Sequence, residues 1–217
     1  MTDKTRSYRM RRRAESQRAT RRRITESAVE LHGTVGPSKT SISAVAAHAG
    51  VRRSTVYRHF PDEAALFDAC TSHWSAENPP PEIAAWSAID SPEERLVVAL
   101  GEIYAYYRRT ERMLENVFRD ATIMPLVQQH LTAFSAYFVG VQEVLIAGRR
   151  LRGAARRRSH AAIAHAIAFS TWRSLVREQG LDDADAVRLM SALVAAAGNP
   201  KLRVVSRPHG PLFEQSL

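Results

Sequence analysis

The stretch AVAAHAGVRRSTVYRHF, Ala44 to Phe60, constrains the fold more than any other part of the chain. Val45, Ala46 and Ala49 form a short apolar face at helical spacing, Gly50 interrupts it, and Val51 and Val56 begin a second one. Small side chains at 46 and 49 let another helix cross closely, and glycine accepts the positive φ that a tight interhelical turn requires. The spacing therefore predicts a helix-turn-helix. With Val51 and Val56 turned to the core, Arg52, Arg53, Ser54, Thr55, Tyr57, Arg58 and His59 are left to the remaining faces.

Those side chains suit a polyanion. Arginine can donate twice to a guanine edge, and hydroxyls and helix N-terminal N–H groups donate to phosphate. Charge elsewhere points the same way. Between Met1 and Thr25, ten Lys or Arg stand against Asp3 and Glu15, a net +8 of the chain's formal +9. A basic segment of this kind is expected to act as an arm on double-stranded DNA. No apolar run of about 18 residues and no signal-peptide core follows it, so a cytoplasmic protein without a membrane span is expected.

Across its 217 residues, 45% hydrophobic, the chain reads as helical, with no strand pattern. Ile24, Ala28 and Leu31 mark a first helix from about Glu15 to Gly33, which Gly36 and Pro37 end. Ser41 is placed to cap a second helix over Ile42 to Ala49, and a third starts near Arg53. Asp62 caps a fourth, whose Leu66, Ala69, Cys70, His73 and Trp74 share a face, and Pro79 to Pro81 halt the chain beyond it. Cys70, the single cysteine, is expected as plain core.

Longer helices follow. Ser91 to Glu94 (SPEE) is a capping box launching Leu96, Leu100, Ile103, Tyr104 and Tyr107. Thr110 is expected to cap a separate segment containing Leu114, Val117 and Phe118. Pro125 to Ala147 predicts a rod of about 35 Å. The arginine-rich GRRLRGAARRRSH segment reads as a solvated turn, and His165, Phe169, Trp172 and Val176 as the next stripe. Gly180 and Asp182 frame the start of a last helix reaching about Ala197. The expected organisation is a basic disordered arm over 1–14, a DNA-binding domain over 15–78, a helical domain over 82–198, and a poorly ordered tail over 199–217.

The segment TSISAVAAHAGVRRSTVYRHFPDEAALF resembles the N-terminal domain of tetracycline-repressor (TetR) family regulators, with AGV, STVYRHF and PDEAALF as its most specific parts. The likeness extends from about Arg21 to Ala69. It implies an all-α protein whose Arg53 reads bases and whose Thr55, Tyr57 and His59 hold phosphates, with Ser41 also in reach of phosphate. It further implies a homodimer formed through the last two long helices, a near-palindromic operator, and a small-molecule effector that releases the DNA, most often from a repressor.

Candidate effector contacts are the aromatic and methionine residues of the middle helices: Tyr104, Tyr107, Met113, Phe118, Phe134, Tyr137, Phe138, Phe169 and Trp172. His130 and His165 are possible polar anchors among them. No Gly-rich phosphate loop and no His, Cys and carboxylate cluster at metal-ligand spacing is present, so neither a cofactor nor a metal is expected, and an enzyme is disfavoured. The competing reading is a nonspecific nucleic-acid binder driven by the arm alone.

Overall fold

The computed structural model describes residues 2–199 and 201, and every regular element among them is helical. The helices are α1 (Thr2–Thr34), α2 (Ile42–His48), α3 (Arg53–His59), α4 (Glu63–Glu77), α5 (Ile83–Ser87), α6 (Pro92–Ala121), α7 (Pro125–Ile146), α8 (Gly153–Ala166), α9 (Phe169–Arg173) and α10 (Asp183–Gly198). By contacts the chain forms two compact units, Met1–Ala85 with Gly101–Val141, and Trp86–Leu100 with Gln142–Leu217. Apart from Asn199 and Lys201, the expected tail lies outside the described residues.

In the first unit, α1 to α4 close around Ile24, Ala28, Ile42, Val45, Ala46, Ala49, Val56, Phe60, Leu66 and Cys70. Apart from Ile42 and Phe60, these belong to the sequence stripes, and a buried Val, Leu, Ile or Phe contributes about 1.5–3 kcal/mol. The α2–α3 angle is thus held by core packing. Asp62 caps α4, its side chain accepting from Ala65 N at 2.7 Å. The first helix departs from expectation, because it begins at Thr2 rather than Glu15. Neither Gly nor Pro occurs between those positions, and the Arg, Met and Ala there are good helix formers. The segment expected as a disordered arm is therefore helical from Thr2, with Arg6 to Arg13 exposed.

Helix α6 is unbroken, so Thr110 does not cap a new segment. Its Oγ1 donates instead to Tyr106 O at 2.6 Å, the return bond to residue i−4 open to a mid-helix threonine. The Ser91 cap forms, with Glu94 N donating to Ser91 Oγ at 3.2 Å. Helix α5, absent from the sequence reading, buries Trp86 completely.

In the second unit, the arginine-rich segment is a turn only as far as Arg152, and α8 starts at Gly153. Its arginines do structural work. Arg149 donates to Pro92 O at 2.8 Å and Leu145 O at 3.0 Å, and Arg158 to Ala197 O at 3.1 Å and Asn199 O at 2.9 Å. Buried Arg95 donates to Ile89 O, Val144 O and Ala147 O. Three guanidinium groups thus close carbonyl-rich helix ends, where cations are favoured. The expected His165 to Val176 stripe is broken, because α8 buries Ile163, Ala166 and Ile167 and leaves His165 exposed. The chain then restarts as α9, and Ser174–Glu178 forms a single π turn. Asp182 caps α10, accepting from Asp185 N at 2.7 Å.

Candidate DNA-reading helix and effector cavity

The turn between α2 and α3 is made by a left-handed residue, Gly50 at φ 63°. Gly50 N donates to Ala47 O at 3.1 Å and Val51 N to Ala46 O at 2.9 Å, the paired bonds of a glycine-terminated helix. At the other end of α2, Ser41 Oγ accepts from Ala44 N at 3.1 Å, which commits one of its lone pairs to the cap and leaves the residue exposed. Arg52 is the N-cap of α3 and offers no side-chain cap.

On α3, Val56 is fully buried and Phe60 nearly so, while Arg52, Arg53, Ser54, Tyr57 and Arg58 are exposed and Thr55 and His59 half-buried. Arg53 Nη2 donates to the Tyr57 hydroxyl at 3.1 Å, and the guanidinium carbon lies 5.5 Å from the Tyr57 ring centroid. The pair is four residues apart on one exposed face, so the arginine is already extended along the helix surface. Burial, and then the cations Arg58 and Arg21, push the His59 imidazole below its ordinary value.

Arg21 was counted with the arm, but it is engaged in the domain itself. Its Nη1 donates to His59 O at 2.5 Å, and its guanidinium carbon lies 4.1 Å from the centroid of the Phe60 ring. The basic helix is thereby joined to the C-terminal end of α3.

A second polar junction, which the sequence reading missed, joins the end of α1 to α6. Asn116 Nδ2 donates to His32 O at 2.9 Å, and Arg119 donates to Asn116 Oδ1 at 2.8 Å and Val35 O at 3.2 Å. Buried Asp120 accepts from Ser38 N and from Arg119 Nε, each at 2.8 Å. Burial alone would raise its carboxyl, but these hydrogen bonds outweigh it and hold the group below the ordinary carboxylate range. The usable signal was a polar trio at i, i+3 and i+4, Asn116, Arg119 and Asp120, in the last turns of a long helix.

Within the same unit, residues of α1, α4, α6 and α7 line a partly open cavity of about 260 Å³. Of the candidate contacts, Met113, Phe134 and Tyr137 line it. Tyr104 and Tyr107 are buried elsewhere in α6, with Tyr107 stacked on Phe138, and Phe118 meets Phe134 edge to face. Phe169 and Trp172 belong to the other unit, where Trp172 Nε1 donates to Asp183 Oδ1 at 3.0 Å. His165 is there too, 3.3 Å from Thr171 Oγ1. The lining also includes His32, Phe67, Trp74 and Tyr106, which the sequence reading did not select.

The cavity is poor in charge. Among the described residues its lining has no Lys, Arg, Asp or Glu. Burial pushes the Cys70 thiol up to about 12, so it is a protonated core group and no nucleophile, and burial likewise raises the Tyr106 phenol to about 12. Tyr137 donates to Pro81 O at 2.8 Å, and both His130 ring nitrogens are engaged, with Leu126 O at 2.8 Å and Asp68 Oδ1 at 2.6 Å. Among the described residues no group of three or more His, Cys, Asp or Glu could hold a metal ion.

A helix-turn-helix domain with an exposed basic reading helix, followed by further helices, is the architecture of a helical transcription regulator. Residues 24–70 match the family model for bacterial regulatory proteins of the tetR family, so the N-terminal domain is of the TetR kind. No curated protein matches the chain. Solved structures show the same fold at low identity. A TetR-like transcriptional regulator from Rhodococcus sp. RHA1 aligns with TM-score 0.59 and 17% identity over 81% of this chain and 93% of its own. A TetR-family transcriptional regulator from Streptomyces coelicolor aligns with TM-score 0.53 and 18% identity, over 83% and 79%. The fatty acid degradation regulator FadR from Bacillus halodurans aligns with TM-score 0.53 and 16% identity, over 85% and 97%. The chain thus has the fold of TetR-family transcriptional regulators.

Proposed function

We propose that this protein is a ligand-responsive DNA-binding transcriptional regulator, acting as a repressor that binds a near-palindromic operator as a homodimer and is released by a small molecule. The observation that carries the reading is α3, with Val56 and Phe60 buried and Arg53 and Tyr57 paired on its exposed face. Ser41, Arg52, Ser54, Thr55, Arg58 and His59 complete the DNA surface, with residues 15–78 as the DNA-binding domain and 82–198 as the effector and dimerisation domain. Dimerisation through α8 and α10 is supported by Leu189 and Leu193, apolar residues four apart and exposed on α10. Two-fold symmetry would set paired half-sites about one DNA turn apart, roughly 34–36 Å. The partly open, largely apolar cavity supports effector control.

Selection of bound fragments from genomic DNA tests the reading, and recovery of no shared half-site would overturn it. Arg53→Ala is expected to weaken binding to the selected site by about 1–3 kcal/mol and to relax preference at one base position. The basic helix start makes a different prediction. Deleting residues 1–13 is expected to weaken all DNA sequences about equally and to flatten the dependence of log affinity on log salt. A titration across salt concentrations checks both, since loss of essentially all DNA binding on that deletion, with no sequence preference beforehand, would favour the nonspecific, arm-driven reading.

A further inference from the structure

His32 places an imidazole on the wall of the cavity. It lies in the last turn of α1, is only 9% exposed, and lines an otherwise mainly aromatic and aliphatic space. Its ring meets Phe67 with centroids 5.3 Å apart, and Phe67 in turn meets His130 at 4.7 Å. Unlike His130, whose two nitrogens are both engaged, the His32 ring has no hydrogen-bond partner among the described residues. An imidazole that lines the pocket without such a commitment is where a ligand's polar atom would be matched.

We propose that the cavity takes an uncharged, largely apolar compound of about two fused rings bearing one hydrogen-bonding group, and that His32 is the residue that reads that group. The inference rests on the effector-controlled reading given above and names the chemistry of its ligand. Size sets one limit. An apolar cavity of roughly 150 Å³ takes a single benzene ring, so about 260 Å³ leaves room for a second ring. Charge sets another, because the lining includes no Lys, Arg, Asp or Glu and its His130 is already committed to Asp68, so a carboxylate or ammonium would enter without a free counter-ion. Phe67, Trp74, Tyr106 and Phe134 supply ring faces and edges.

The imidazole is suited to the task. Burial holds it well below its ordinary value, at about 4, with nearby Asp120 only partly offsetting this, so at neutral pH it is uncharged and offers one N–H donor and one lone-pair acceptor. Position adds a consequence. The His32 carbonyl accepts from Asn116, and the Arg119 and Asp120 contacts to Val35 and Ser38 follow directly along the chain. A ligand held by this ring would therefore bear on the junction between α1 and α6.

Calorimetric titration of the full-length protein with three probes of one size, 2-naphthol, naphthalene and 2-naphthoate at pH 7, tests the proposal. The naphthol is expected to bind about tenfold more tightly than naphthalene, and the naphthoate not to bind detectably. His32→Phe is expected to abolish the naphthol preference while retaining naphthalene, and His32→Gln, which keeps a donor and an acceptor, to preserve it. His32→Met gives the same apolar comparison if the phenyl ring does not pack. Naphthoate binding as tightly as naphthol, an unchanged preference in His32→Phe and His32→Met, or no binding of naphthol at all would each overturn the proposal. Because the titration uses DNA-free protein, failure of the DNA-regulator reading would show separately, as absence of a selected operator with naphthol binding intact.

Discussion

Gly36→Ala is expected to destabilise the first unit by about 3 kcal/mol or more, read as a lower urea midpoint, whereas Gly50→Ala is expected to cost about 1–2 kcal/mol. Both glycines have positive φ, but they differ in what surrounds them. Gly36 sits at φ 97° and ψ 158°, a region that essentially only glycine occupies. A Cβ there would fall on the Arg119 guanidinium and lie 2.6 Å from Asp120 Oδ2. It would strike the junction that satisfies Ser38 N and Val35 O. Gly50 at φ 63° has nothing within 4 Å of its added Cβ, so only the left-handed backbone opposes alanine. Equal losses at the two sites would show that Arg119 swings aside without consequence.

The second large effect is on pH. His32 has an ordinary value of 6.5 and is lowered to about 4 by burial in the folded protein. Between those values the unfolded chain binds more protons than the folded one, so stability falls as pH falls. Its contribution is full above about pH 6.5, declines toward pH 4, and amounts to about 3 kcal/mol over that window. Urea unfolding of the parent protein and His32→Gln at pH 7 and pH 4.5 checks this. The parent is expected to lose the more, and parallel losses would mean that His32 is not held neutral by burial.

Much of the first unit was legible because local rules and tertiary packing agree there. Ser41, Gly50 and Asp62 each stop or start a helix in the turn their chemistry favours, and the Ile24, Ala28, Val45 and Val56 positions all reach one core. Where the reading failed, local chemistry was outweighed by its surroundings. Thr110 has the side chain of a cap, but apolar positions on both sides keep α6 running. Arg149 and Arg158 look solvated in sequence, yet carbonyl groups distant in the chain claim them.

The cavity was legible only in part, for a related reason. Aromatic positions on α6 and α7 follow from periodicity, but whether a ring packs in the core or borders a void depends on the neighbouring helix. Met113 and Phe134 border the cavity while Tyr104 and Tyr107 do not, although all four fit the same description in sequence. His32 was missed because the stripe that defines α1 passes through Ala28 and Leu31, and nothing in that stripe says that the adjacent position faces empty space.

The continuity of α1 bears on how its charge would meet DNA. A flexible arm surrenders conformational entropy when it settles along a phosphate backbone, and that ordering normally marks its association with a large unfavourable entropy. Here the backbone carrying Arg6 to Arg23 is already a helix within a 33-residue element, and Arg21 ties it to the end of α3. Its cations are spaced by the helical rise before any partner arrives. Docking should then resemble the seating of a preformed charged rod, governed by counterion release and alignment, with little of the thermal signature of coupled folding.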